Sequence, residues 1–286
     1  MRTVAADEAG LGERLRVLTL NLWGTSGDWP ARRRALTVGL ADLQPDLVAL
    51  QESLVDETYD QARDLLDTEY HLVHQARRAP DGIGVTVASR WPLARSQELD
   101  LRLTPRTRES QAASFPCGAL LAEVAVPAPI GRVVFVNHFP SYQVDYEQER
   151  SLQAVAVARA IEGFAADSVR HVVVAGDLDA DPSAASIRFW TGRQALEGMS
   201  VCYRDAWESA RGSAAGDTFT TENPLVEASD WPFRRIDYIL VRCGAKGSPT
   251  LRIADCRLAF TEPVAGSMGS DHFGVVADLA VDDRER

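Results

Sequence analysis

The chain has 286 residues, 45% of them hydrophobic, and a formal net charge of −11, enough for a large core in one or two domains. The acidic balance speaks against a general, high-affinity grip on nucleic acid, which needs a basic face to release counterions, though a local basic groove stays open. No stretch is long and apolar enough to span a bilayer, and the N-terminal "MRTVAADEAGLGERLRV" has no apolar h-region, so a soluble, cytoplasmic, monomeric protein is expected.

The first predicted strand is RVLTLNLWG (16–24). A helical pattern follows over 31–43, with Leu36, Leu40 and Leu43 on one face and Pro45 as a stop. Strands are then expected at DLVALQES (46–53), YHLVHQA (70–76), GVTVASR (84–90), ALLAEVAV (119–126) and RVVFVNHFP (132–140). The longest helix is predicted over 145–165, where Leu152, Val155, Ala156, Arg159 and Ala160 recur at helical spacing. HVVVAGDLD (171–179) reads as a strand, and a third helix runs from Ser183 to about Gly192 behind Pro182. Residues 210–233 read as an elaborated surface loop, and RRIDYILVR (234–242) and GVVADLAV (274–281) close the chain as strands. Strands and helices mix throughout without a linker or repeat. The expected fold is α/β (α+β), one domain over 16–281 between short tails (1–15 and 282–286), with two sheets face to face and helices outside.

Polar residues fall at the ends of the apolar runs. Asn21, Glu52, Asn137–His138, Asp177 with Asp179, and Ser270–Asp271–His272 all sit at or just past such an edge. Singly each has an ordinary reading: Asn21 as a turn cap, Glu52 as a solvated acid, His138 as a structural histidine. Together they suggest one rim built from distant sequence. Asp237 differs, because a carboxylate inside RRIDYILV needs a partner to be buried, and a histidine is the natural one. The run DLDADP is not a calcium loop: Pro182 stands where such a loop requires Gly, and Arg188 where it requires a bidentate Glu.

These segments, in this order, resemble the endonuclease/exonuclease/phosphatase superfamily, the DNase I-like metal-dependent phosphoesterases. The motifs are LTLNLWG, ALQES, GVTVASRWPL, VNHFP, GDLD, RRIDYI and GSDHFGVV, with YRDAWE and DTFT between GDLD and RRIDYI, and the match runs from about residue 16 to 280. The resemblance implies a four-layer sandwich. It implies Glu52 as the principal Mg2+ ligand (Mn2+ as a substitute), with Asn21 and Asp271 near the metal. Asp177 would orient or deprotonate the attacking water, and His272, held by Asp237, would contact the scissile phosphate. His138 would stabilise developing charge or assist the leaving oxygen. One position departs from the pattern: G-D-x-N is here G-D-x-D, so Asp179, at a catalytic position, puts a carboxylate where the family has an amide donor. Its readings are a carboxyl protonated by the crowded anionic setting, a ligand to a second cation, or a weakened site.

Substrate residues are less legible. Arg106 and Arg108 are candidates for a second phosphate or a solvated basic loop; Tyr142 and Arg150 for the pocket border or packing. Trp23, Trp29, Trp190 and Trp231 would wall a base-stacking cleft or fill the core, and His71 and His74 are given no role. Four scattered cysteines, Cys117, Cys202, Cys243 and Cys256, read as free thiols. The expected function is Mg2+-dependent phosphoester hydrolysis of a small-molecule or single-stranded substrate, with duplex DNA disfavoured. The alternatives are an endonuclease or exonuclease on DNA, and a non-catalytic phosphate-binding protein that kept the fold.

Overall fold

In a computed structural model, residues 14–109, 114–165, 169–226 and 231–281 are described. The first strand, β1 (Arg14–Asn21), lies between the last, β12 (Gly274–Ala280), and β2 (Leu47–Leu54). Adding β4 (Ile83–Ser89), β3 (His71–His74) and β11 (Arg252–Ala259) gives a six-stranded sheet of order β11-β12-β1-β2-β4-β3. A second six-stranded sheet has the order β5-β6-β7-β8-β10-β9. Its members are β5 (Leu93–Asp100), β6 (Gly118–Ala125), β7 (Arg132–Phe139), β8 (His171–Asp177), β9 (Tyr203–Asp205) and β10 (Asp237–Arg242).

Side-chain alternation explains the layers. Leu15, Val17, Leu47 and Ala49 of the first sheet meet Leu120, Phe135, Val173 and Ile239 of the second in one buried cluster between the sheets. The opposite parity of the first sheet, Leu18, Leu20 and Val48, packs under α1 (Trp29–Leu43) and α2 (Gln61–Leu65). On the far side Val134, Val136, Val172 and Val174 pack under α4 (Glu147–Phe164) and α5 (Ala185–Trp190). Helix, sheet, sheet, helix: the four-layer sandwich is confirmed. Two short helices, α3 (Pro105–Glu109) and α6 (Ala206–Arg211), complete the elements.

The strands without a sequence signal are edge strands. β5, β9 and β11 sit at sheet margins, and β5 and β11 expose much of their length, so no continuous apolar run marks them. The expected surface loop at 210–233 is also more than surface. Thr218 and Asn223 are fully buried. Thr218 accepts from the Ile236 and Asp237 amides (3.1 and 3.3 Å) and its carbonyl accepts from Phe273 (2.8 Å), while Asn223 donates to the Ser270 carbonyl (2.8 Å). The loop braces the segment that leads into β12.

Between the sheets one polar chain interrupts the apolar packing. Thr19 reaches Gln51 (3.3 Å), Gln51 donates to Asn137 (2.7 Å), and Asn137 donates to the carbonyls of Leu50 and Thr86 (both 2.9 Å). All three side chains are fully buried. Satisfied networks of this kind fix register where apolar packing would allow sliding.

Candidate active site

The strand ends that carry the acids meet at one edge of the sandwich. β8 ends at Asp177 and its antiparallel neighbour β10 begins at Asp237, so the two residues are direct cross-strand partners. Like charges so placed repel. His272 relieves them: its Nδ1 lies 3.0 Å from Asp237 and its Nε2 3.9 Å from Asp177. From the first sheet, Asn21 at the end of β1 donates through Nδ2 to Asp177 (3.0 Å) and to Glu52 (3.2 Å). Ser270 ties the β12 approach to β1 by donating to the Asn21 carbonyl (2.7 Å), and accepts from the His272 amide (3.2 Å).

Backbone strain aims two of these acids. The β2–β4 ladder shifts register between Leu50 and Ser53, a bulge that turns Glu52 out of the sheet's parity. Glu52 and Asp179 both have φ 50°, and Trp23 has φ 55°; left-handed non-glycine residues clustered at a cleft mark a site held against local preference. Gly176 serves a different need. A Cβ there would lie 1.9 Å from the His138 carbonyl oxygen, so only glycine lets β8 deliver Asp177 beside β7.

The electrostatics follow from burial among like charges. Burial, reinforced by Asp179 and Asp237, lifts Asp177 well above the usual carboxylate range. Burial lifts Asp179 to about 6 against the pull of Arg234, Arg150 and His272. Glu52 is raised by burial and by Asp271, and Asp271 by burial. Burial lowers His272, but Asp237 and Asp177 outweigh it and hold the imidazole well above its ordinary value. The imidazole of His272 is thus placed to share a proton with the two carboxyl groups beside it.

The Endonuclease/Exonuclease/phosphatase family model matches residues 18–272, the stretch that carries every group just described. The chain belongs to this family. It is a phosphoester hydrolase of a divalent-metal-dependent family. No curated protein matches it by sequence. D. rerio TDP2 complexed with single strand DNA product superposes with a TM-score of 0.73 at 20% identity, over 94% of this chain and 99% of that one. The human Nocturnin catalytic domain with bound sulfate gives 0.69 at 17%, over 94% and 95%. ANGEL2, a 2',3'-cyclic phosphatase in complex with adenosine-2',3'-vanadate, gives 0.70 at 13%, over 94% and 96%. At such identities the likeness is one of fold.

The donor set fits a hard divalent cation. Glu52 and Asp271 are carboxylates facing the same cleft of about 640 Å3, both raised by burial, and a cation between them would relieve that strain. Asn21 lies beside them: its amide oxygen accepts from Trp23 N–H (2.9 Å) and its nitrogen donates to the carboxylates of Glu52 and Asp177, linking the two.

Other expected site residues lie elsewhere. His138 is 1% exposed and does not line the cleft; it packs edge-on against Trp190 (6.0 Å) on the helix side of β7, and burial drives its pKa down to about 3. A leaving-group role is therefore not supported by its position. Arg106 pairs with Asp145 and Glu149 and lies over the Tyr146 ring, and Arg108 donates to the Arg102 carbonyl (2.7 Å); neither lines the cleft. Arg150 is buried, bound to the carbonyls of Ser141, Gln143 and Val144 and to Glu147, and reaches the site only as charge behind Asp179. Tyr142 does border the cleft, with Trp23 and Trp231, whereas Trp190 is core and Trp29 donates to Tyr59 (3.1 Å).

Two arginines were missed. Arg234 lines the cleft and donates to the Asp179 carbonyl (2.8 Å). Arg32, 1% exposed, donates to the carbonyls of Leu22, Gly24, Ser26 and Gly269, lies over Trp23 (4.9 Å), and feels both Asp271 and Glu52. The triple arginine of α1 hid it, because three adjacent arginines read as a solvated face.

Proposed function

We propose that this phosphoesterase uses Mg2+, with Mn2+ as a substitute, and hydrolyses a small-molecule or single-stranded phosphoester in preference to duplex DNA. The observation that carries this reading is the Asp237–His272–Asp177 chain at the cleft, with ligand atoms all within 4.8 Å of one another. Glu52 and Asp271 would hold the cation, which when bound supplies charge to offset that developing on the phosphate. Asp177, its affinity for a proton raised, takes one from the attacking water as the water oxygen bonds to phosphorus. His272 presents its protonated Nε2 to a phosphate oxygen while Asp237 fixes its Nδ1. The bond to the leaving oxygen breaks, and that oxygen takes a proton from solvent.

The formal charge of −11 and the carboxylate-rich cleft weigh against the counterion release that drives duplex binding. Among the described residues no helix is long and apolar enough to cross a membrane. The four cysteines are free, which supports the cytoplasm as the compartment. The test is phosphate or nitrophenol release from a panel of nucleotides, single-stranded and duplex oligonucleotides and nitrophenyl esters, with Mg2+ and with EDTA. Turnover that EDTA abolishes and that is weakest on duplex DNA is expected; EDTA-resistant turnover, or none, overturns the reading.

A further inference from the structure

The cleft's charge is one-sided. Glu52, Asp81, Asp177, Asp179 and Asp271 face it against one guanidinium, Arg234, and the imidazole of His272. Arg234 is already turned to the carbonyls of Asp179 (2.8 Å) and Pro232 (3.0 Å). Asp179 adds to this imbalance at the position where G-D-x-N supplies an amide. A neutral amide donates to a phosphate oxygen, whereas an ionised carboxylate only accepts and repels it. Among the described residues no protein donor reaches the Asp179 carboxylate; its amide donates to Asp177 (3.2 Å) and its carbonyl accepts from Arg234. The side chain is therefore left to meet what enters the cleft.

A second feature lies beside it. Phe115 and Tyr142 have ring centroids 4.8 Å apart, and Tyr142 and Trp231 6.0 Å. All three line the cleft. Only four large hydrophobic side chains among the described residues are exposed, and two of them, Tyr142 (37%) and Trp231 (40%), meet here. Ordinary core packing would have covered both rings. An open aromatic face next to a phosphate site suits a flat or apolar substituent.

We infer that Asp179 makes the chain select phosphodiesters over phosphomonoesters, the second substituent of the diester lying on the Phe115–Tyr142–Trp231 face. A monoester near neutral pH carries close to two negative charges, since its second ionisation lies at about 6. A diester carries one, and its second ester oxygen leads into a substituent where the monoester would set another charge against Asp179. This inference rests on the hydrolytic reading above and adds its substrate class.

The test uses the whole chain with Mg2+ on p-nitrophenyl phosphate, methyl p-nitrophenyl phosphate and bis(p-nitrophenyl) phosphate. Wild type is expected to rank the bis-ester first and the monoester last in kcat/KM. Asp179→Asn, close in shape and at ease with φ 50°, is expected to raise the monoester's kcat/KM by roughly tenfold relative to the diesters. Tyr142→Ala is expected to raise KM for the bis-ester toward that of the methyl ester. A wild type that prefers the monoester, or an Asp179→Asn change equal on all three esters, overturns the charge argument. Equal KM for the two diesters in wild type overturns the aromatic face. No turnover of any ester sinks the hydrolytic reading and this inference together.

Discussion

At His138 the Nδ1 atom is buried with no hydrogen-bond partner, and burial moves the pKa from 6.5 to about 3. The native state then binds fewer protons than the unfolded chain between those values. This stability is fully present above pH 6.5 and is lost as pH falls toward 3, at up to about 1.4 kcal/mol per unit. His171, lowered to about 4 by burial and by Arg170, acts in the same direction. Urea midpoints measured from pH 7.5 down to 4 are expected to fall more steeply for wild type than for His138→Phe; parallel lines would rule out a buried neutral imidazole. The sequence could not reveal which way His138 faces. β7 is buried on both sides, so the alternation that would have separated Asn137 from His138 is erased. Asp237 was legible for the opposite reason: a carboxylate inside an apolar run has few solutions, and His272 is the one found. Arginines gave no such clue, because the sequence is the same whether a guanidinium binds carbonyls, as Arg150 does, or faces a cleft, as Arg234 does.

Helix α1 is held to the site through one side chain. Asp28 caps its start, accepting from the Ala31 amide (3.1 Å), but Arg32 joins it to the loops at 22–26 and 269. Arg32→Leu leaves the buried Leu22 and Gly269 carbonyls without their guanidinium donor, while Gly24 keeps Gln61 (2.7 Å), and a loss of roughly 3 kcal/mol is expected from urea unfolding. A loss below about 1 kcal/mol would mean that water replaces the guanidinium freely. The central strands and the two long helices were legible, within a few residues, from apolar runs and helical periodicity. The edge strands β5, β9 and β11 were not, since they bury little or are brief. The bulge at Glu52 was also hidden, because a bulge is a relation between two strands and leaves no mark on one.

Across the whole molecule, each sheet supplies half of the site: Asn21, Glu52 and His272 come from one, Asp177 and Asp237 from the other. A cation held by Glu52 and Asp271, two residues at the edge of the first sheet that are distant in sequence, would favour the native state that brings them together and is expected to raise the melting temperature. At a hundredfold excess over Kd, Mg2+ is expected to add about 2.7 kcal/mol, read by calorimetry. Glu52→Gln is expected to abolish most of that shift; an undiminished shift would place the cation elsewhere. The strand order carries a further consequence for synthesis. β12 lies between β1 and β11, so the earliest strand waits for one of the latest before its sheet can close. Asp271 and His272 emerge from the ribosome only after nearly all the rest. A nascent chain halted before residue 270 would hold its acids without their proton carrier, inert until translation finishes.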